Sequence, residues 1–252
     1  ADGLELRRAR GQVSRRGGVT RASVRGRVNG GVPAQLRYRQ GRDGDAVLTL
    51  RSGDAGALLF DVGLSEAARG GALPLRARIP PEGEGDITGV ARIETIVLGG
   101  VAALGRIVEE AREDGVEAQE VSGGYAFDTI RVPFTLLGDR LEVRNALAEG
   151  PSLGVKIGGA FERESGVLDF PGVLTPAYRL TSQLHAVPLL GALLGGRGEG
   201  LVGLTFAVSG PREAPEVSVN PFSVLAPGVL RRLVQSGPEI DIPPDLFEEI
   251  DR

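Results

Sequence analysis

Residues 20–28 read Thr20-Arg21-Ala22-Ser23-Val24-Arg25-Gly26-Arg27-Val28. Ala22, Val24 and Val28 alternate with Arg21, Ser23, Arg25 and Arg27, the period of a strand with one apolar face and one wet face. The next segment keeps the rhythm, with Leu36 and Tyr38 set between Arg37 and Arg39. So do Ala46/Leu48/Leu50, Leu73/Leu75/Ala77/Ile79, Ile87/Ala91/Ile93, Leu141/Val143/Leu147 and Leu153/Val155/Ile157/Phe161. Leu201–Val208 is apolar on nearly both faces, as in a strand covered on both sides. Asn29-Gly30-Gly31, Arg42-Asp43-Gly44-Asp45, Gly70-Gly71, Gly123-Gly124 and Gly138-Asp139 punctuate these runs as turns.

Three stretches break the alternation and predict helices. Ser52–Leu64 opens on Ser52-Gly53-Asp54, a capping sequence, and continues with Ala55, Leu58, Leu59 and Val62 at helical spacing. Val101–Asp114 sets Val101, Leu104, Ile107, Val108 and Ala111 on one side and Arg106, Glu109, Glu110 and Glu113 on the other, with Gly115 as the stop. Asn220-Pro221 caps a third helix running through Val224, Leu225, Leu230, Leu233 and Val234, with Pro227 as an internal break. A short helix is also expected at Asp245–Ile250.

The chain has 252 residues, 39 of them glycine, with 4% aromatic and 41% hydrophobic residues. That composition supports a folded, mainly β structure with a few short helices, as a long antiparallel meander or a sandwich. Cysteine is absent, which excludes disulfides and thiol chemistry. No apolar run reaches the roughly 20 residues that cross a bilayer as a helix. The segment Ala1–Gly11 lacks the apolar core of a signal peptide. We read the sequence as a piece of a longer protein, in two parts: 1–237, and an acidic, proline-rich tail, 238–252.

The net charge of −4 is unevenly distributed, because residues 1–51 hold 12 arginines and 4 acids, a net +8, which leaves −12 for the rest. A basic stripe of this kind could serve nucleic acid or anionic lipid head groups, while the alternate spacing of the arginines fits a solvated sheet face. Nucleic acid is disfavoured as a partner by the overall acidity and by the lack of aromatics among those arginines.

Catalytic chemistry finds little support. His185 is the single histidine, so a zinc site or a Cys/His pair cannot be assembled. The carboxylate clusters at Glu82–Asp86, Glu109–Asp114 and Glu239–Asp241 read as solvated surface. Ser152 and Ser209 lack the Gly-x-Ser-x-Gly context, and Gly195-Gly196-Arg197-Gly198 lacks the Lys-Ser or Lys-Thr of a phosphate loop. We therefore expect no enzyme, no cofactor and no metal. What the sequence offers in quantity is apolar surface on alternate strand positions. Either two sheets close it as a sandwich, or it lines an open groove.

One resemblance goes further. The last third runs through Leu174-Thr175-Pro176-Ala177-Tyr178, Val187-Pro188-Leu189-Leu190-Gly191, Leu193-Leu194-Gly195-Gly196, Gly198-Glu199-Gly200-Leu201 and Val208-Ser209-Gly210-Pro211. It continues through Pro215-Glu216-Val217-Ser218-Val219-Asn220-Pro221 and Leu225-Ala226-Pro227-Gly228-Val229-Leu230-Arg231-Arg232-Leu233. With Leu50–Leu59 and Gly70–Leu73 upstream, this pattern resembles the C-terminal region of the AsmA-like proteins of Gram-negative envelopes. Pro188, Leu189, Gly191, Gly200, Gly210, Pro215, Asn220, Pro221, Pro227, Gly228 and Arg231 carry it. Gly53 and Val229 depart from it, and the tail after Gly237 has no counterpart in it.

The resemblance implies a long, twisted antiparallel sheet curled into an apolar groove, with helices covering the C-terminal end. It also implies a periplasmic location, an inner-membrane anchor outside this segment, and phospholipid transport toward the outer membrane. The partners so implied are phospholipid acyl chains, and an outer-membrane or envelope protein meeting the C-terminal helices. On that basis Leu36, Tyr38, Leu48, Leu50, Ile87, Ile93, Leu141, Val143, Val155, Ile157 and Phe161 are expected to face the groove as lipid-binding residues. Val187–Leu194 and Phe222–Val234 are read as terminal cover for the sheet, or as amphipathic pieces touching a membrane or partner. The competing expectation is an envelope scaffold whose sheet is a closed core.

Overall fold

A computed structural model of the chain describes residues 6–28, 31–61, 65, 67–81, 85–113, 118–176 and 204–220. These form one antiparallel sheet of twelve strands in strict chain order, with two short helices. The strands are β1 (Leu6–Arg16), β2 (Val19–Val28), β3 (Val32–Gln40), β4 (Ala46–Ser52), β5 (Arg69–Ile79) and β6 (Ile87–Gly99). They continue as β7 (Gly124–Leu137), β8 (Arg140–Glu149), β9 (Leu153–Glu162), β10 (Val167–Pro176), β11 (Leu204–Pro211) and β12 (Glu216–Asn220). The sheet is a meander and does not close: β1 and β12 are its two edges. At about 20–25° of twist per strand, so many strands cannot stay flat.

Consecutive pairing makes the two ends of the sheet unlike. At one end lie the tight turns 17–18, 41–45, 138–139, 163–166 and 212–215. At the other lie α1 (Ala55–Asp61), between β4 and β5, and α2 (Ala102–Glu113), between β6 and β7. β10 ends, β11 begins and β12 ends at this helical end.

Both described helices fall where the sequence places them, for the reasons it gives. Asp54 caps α1, its Oδ1 accepting the Ala57 N–H at 3.0 Å, while the Ser52 Oγ accepts the Asp54 N–H at 3.3 Å. In α2, Ile107, Val108 and Ala111 are buried on one side and Arg106, Glu109 and Glu110 are exposed on the other. The helix packs onto β11 and β12 although it is inserted between β6 and β7. It closes a core containing Ile93, Ile96, Phe127, Leu153, Leu174, Leu204 and Phe206. A smaller cluster joins Leu58 of α1 to Val28, Val32 and Ala34.

Three sequence readings need correction. Gly70-Gly71 is not a turn but lies inside β5, with φ of 74° and 90°. A Cβ on Gly71 would meet Ile93 at 2.8 Å and Ala55 at 3.2 Å, so glycine lets α1 lie against the strand. Leu147 does not continue the phase of Leu141 and Val143. Asn145 has φ of 51° and the β8 register shifts between Val143 and Ala146, so Ala146 and Ala148 take the apolar face and Leu147 the other. The sandwich alternative also fails, since the twelve strands form one sheet.

The third helix from Asn220, the Asp245–Ile250 helix and the 238–252 tail lie outside the described residues, apart from Asn220, which ends β12.

Candidate functional site

Cross-strand partners share a face, so the register places each expected lipid-binding residue. One row runs Ile87, Leu136, Leu141, Phe161, Leu168 from β6 to β10. A second runs Val24, Leu36, Leu50, Leu75, Ala91, Val132 from β2 to β7. A third runs Ala22, Tyr38, Leu48, Ala77, Gly89, Phe134, Val143 from β2 to β8. Nearest the helical end, Ile93, Ile130, Ala148, Val155, Leu174 and Leu204 are in register, and Ala146 is opposite Ile157. All eleven residues therefore lie on a single face of the sheet, which is the face the two helices cover.

Their surroundings divide them. Ile93 belongs to the core under α2, Val155 and Ile157 pack against it, and Leu50 packs against the α1 cluster. Leu36, Tyr38, Leu48, Ile87, Leu141, Val143 and Phe161 belong to neither cluster. Of these seven, only Val143 is buried; the others are partly exposed. They occupy the part of the face toward the tight-turn end.

Glycines on this face make room for rings. Phe134 is paired with Gly89, where a Cβ would sit 2.5 Å from the ring, and Phe206 is paired in the same way with Gly172. The rings lie down over the backbone, so aromatic carbon rather than peptide lines the surface there.

The opposite face is polar and graded in charge. Its longest row reads Arg21, Arg39, Val47, Arg78, Thr88, Thr135, Glu142, Ala160, Asp169, Ser209, Glu216 from β2 to β12. Asp45 pairs with Arg78 at 2.7 Å. Glu142 accepts from Arg144 at 2.6 Å and from Arg140 at 3.1 Å, and Arg140 also pairs with Glu162. The Arg144 hydrogen bond, and then that of Arg140, hold the Glu142 carboxyl below its ordinary value against the opposing effect of burial. Lys156, between Leu147 and Val173, is pulled below the usual lysine value by burial.

Of the residues that carry the family resemblance, Gly210, Pro215 and Asn220 are described. Gly210 has φ of 93° and opposes Leu168; Pro215 lies between β11 and β12; Asn220 opposes Thr205. Pro188, Leu189, Gly191, Gly200, Pro221, Pro227, Gly228 and Arg231 lie outside the described residues, as does His185. Among the described residues, no group of three or more His, Cys, Asp or Glu is placed to hold a metal ion. None of the described helices is long and apolar enough to cross a membrane. No family model, curated protein or solved structure matches this chain.

Proposed function

We propose that this chain is a segment of a non-enzymatic lipid-transfer conduit of the Gram-negative periplasm, tethered to the inner membrane by a helix outside the segment. In this reading the apolar face is the wall of a groove. Phospholipid acyl chains lie along it on their way to the outer membrane, and the head groups stay in water.

The supporting observation is the row Ile87, Leu136, Leu141, Phe161, Leu168, which spans five strands and belongs to neither helix-covered cluster. Each acyl CH₂ kept from water is worth about 0.8 kcal/mol. A wall of this kind lowers the barrier to moving a lipid through an aqueous compartment without any bond being made or broken. The reading also draws on the resemblance of the last third to AsmA-like proteins.

The second reading is a scaffold of envelope assembly. It is favoured by the packing of Ile93, Val155 and Ile157 into the core under α2, which makes that part of the face structural.

Photo-crosslinking in Gram-negative cells separates the two, with the probe at Leu141 or Phe161 and at Lys156 on the other face as control. Conduit use gives phospholipid adducts at Leu141 and Phe161 and none at Lys156. Protein adducts alone, or no adducts from a folded chain, favour the scaffold.

A further inference from the structure

The sequences of β1 to β5 contain fourteen arginines and not one aspartate or glutamate. The register concentrates these charges on the face turned away from the apolar wall. Arg7 is directly opposite Arg27, Arg10 opposite Arg25, and Arg21 opposite Arg39. All six are exposed. Like charges facing each other across a ladder destabilise a sheet, so the Arg10–Arg25 and Arg21–Arg39 oppositions each cost folding energy. Arg37, Arg51 and Arg78 extend the patch over β3, β4 and β5 on the same face, and Asp45 pairs with Arg78 at its margin. Over β8 and β9 acids and bases mix on this face, as at Glu142 between Arg140 and Arg144, and β10 to β12 hold Asp169 and Glu216 there with no arginine or lysine in their sequences.

We infer that this arginine face docks on the surface of an anionic phospholipid bilayer. Three features choose that partner. The patch is broad in both directions, roughly 20 Å across the strands and 30 Å along them, which matches a plane of charge better than a linear polyanion. Positions between the arginines hold Ser23, Gln35 and Thr49, without the aromatic rings on which single-stranded nucleic acid stacks. The net charge of −4 over the whole chain disfavours a long polyanion, which would meet the acidic strands as well. The guanidinium groups would contact lipid phosphates from outside the hydrocarbon, and the anions would relieve the arginine–arginine repulsion. The acidic end of the same face would be repelled, which orients the sheet with its β1 edge at the membrane. This docking stands apart from lipid occupancy of the other face.

The test is flotation of the whole chain with vesicles of phosphatidylcholine alone and with vesicles containing phosphatidylglycerol. We expect binding only to the latter, weakening as salt shortens the screening length below about 8 Å. Replacing three exposed arginines together (Arg21→Ser, Arg37→Ser, Arg39→Ser) should weaken binding roughly a hundredfold. The same variant should keep the wild-type unfolding midpoint or raise it, because a like-charge pair is removed. Equal binding to both vesicles, wild-type binding by the triple variant, or binding to nucleic acid but not to vesicles would each overturn the inference. If docking fails while phospholipid adducts still form at Leu141, this inference falls and the conduit reading stands. Docking without adducts supports the inference and removes the conduit.

Discussion

Phe206 of β11 lies with its ring against the backbone of Gly172 of β10, the residue directly opposite it, in the space a Cβ would fill. The aromatic ring replaces the missing side chain and covers the peptide from the apolar side. This contact joins β10 to β11 within the core that α2 closes.

Gly172→Ala should therefore be costly although it adds one methyl group. The added carbon collides with all parts of a buried ring, which must leave its place or push the strands apart. A loss of about 1–3 kcal/mol is expected, read as a lower urea midpoint at unchanged slope. Gly53→Ala is the control: nothing lies within 4 Å of its added carbon, and a change under about 0.5 kcal/mol is expected.

Ile107 of α2 tests whether the helix holds the far edge of the sheet. It is 3% exposed and shares its core with Leu204 and Phe206 of β11, while the helix touches β12 as well. Ile107→Ala should cost about 2–5 kcal/mol. Hydrogen exchange should show β11 and β12 losing protection while β2 to β4, which make no part of that core, keep theirs. Uniform loss across the sheet would mean that the sheet unfolds as one unit.

The same contact marks the limit of what the sequence reveals. Alternation within each strand is enough to put Leu36, Tyr38, Leu141 and Phe161 on one face, because side chains alternate whatever the sheet does. It fails at Leu147, where the bulge at Asn145 moves the phase by one residue. It also misses β7 and β10. Asp128 and Thr129 separate the inward Phe127 from the inward Ile130, and Pro171-Gly172 interrupts Leu168, Phe170 and Leu174. That Ile93, Val155 and Ile157 are packed under a helix while Leu141 and Phe161 are not depends on where α2 comes to rest. Its resting place joins β6 to β12 across the sheet, a distance no local pattern encodes.

Acid should weaken the fold through Glu142. Its carboxyl is held low first by Arg144 and then by Arg140, so the folded chain releases this proton at a lower pH than the unfolded chain. The resulting stabilisation is fully present above the usual carboxyl value of 4.5 and is lost as pH falls through the lower folded value. Glu142→Gln should be less stable than wild type at neutral pH and should show a flatter acid limb in midpoint against pH. An unchanged acid limb would assign acid sensitivity to other carboxylates.

Lys156 should act in the opposite direction at the alkaline end. Burial holds its ammonium below the ordinary value of 10.5, so just below that value the unfolded chain binds more protons than the folded one. Stability from this group therefore rises as pH climbs through the folded value and levels off once the unfolded chain has also lost its proton. At neutral pH both states are charged and the cost of burying the charge is fully present. Lys156→Met keeps the stem between Leu147 and Val173 and removes that cost. The variant should unfold at a higher midpoint than wild type at pH 7, and the gap should narrow toward pH 10. A lower midpoint at pH 7 would show that the ammonium finds compensation in water at the sheet surface, and that its burial is not what shapes the fold's response to base.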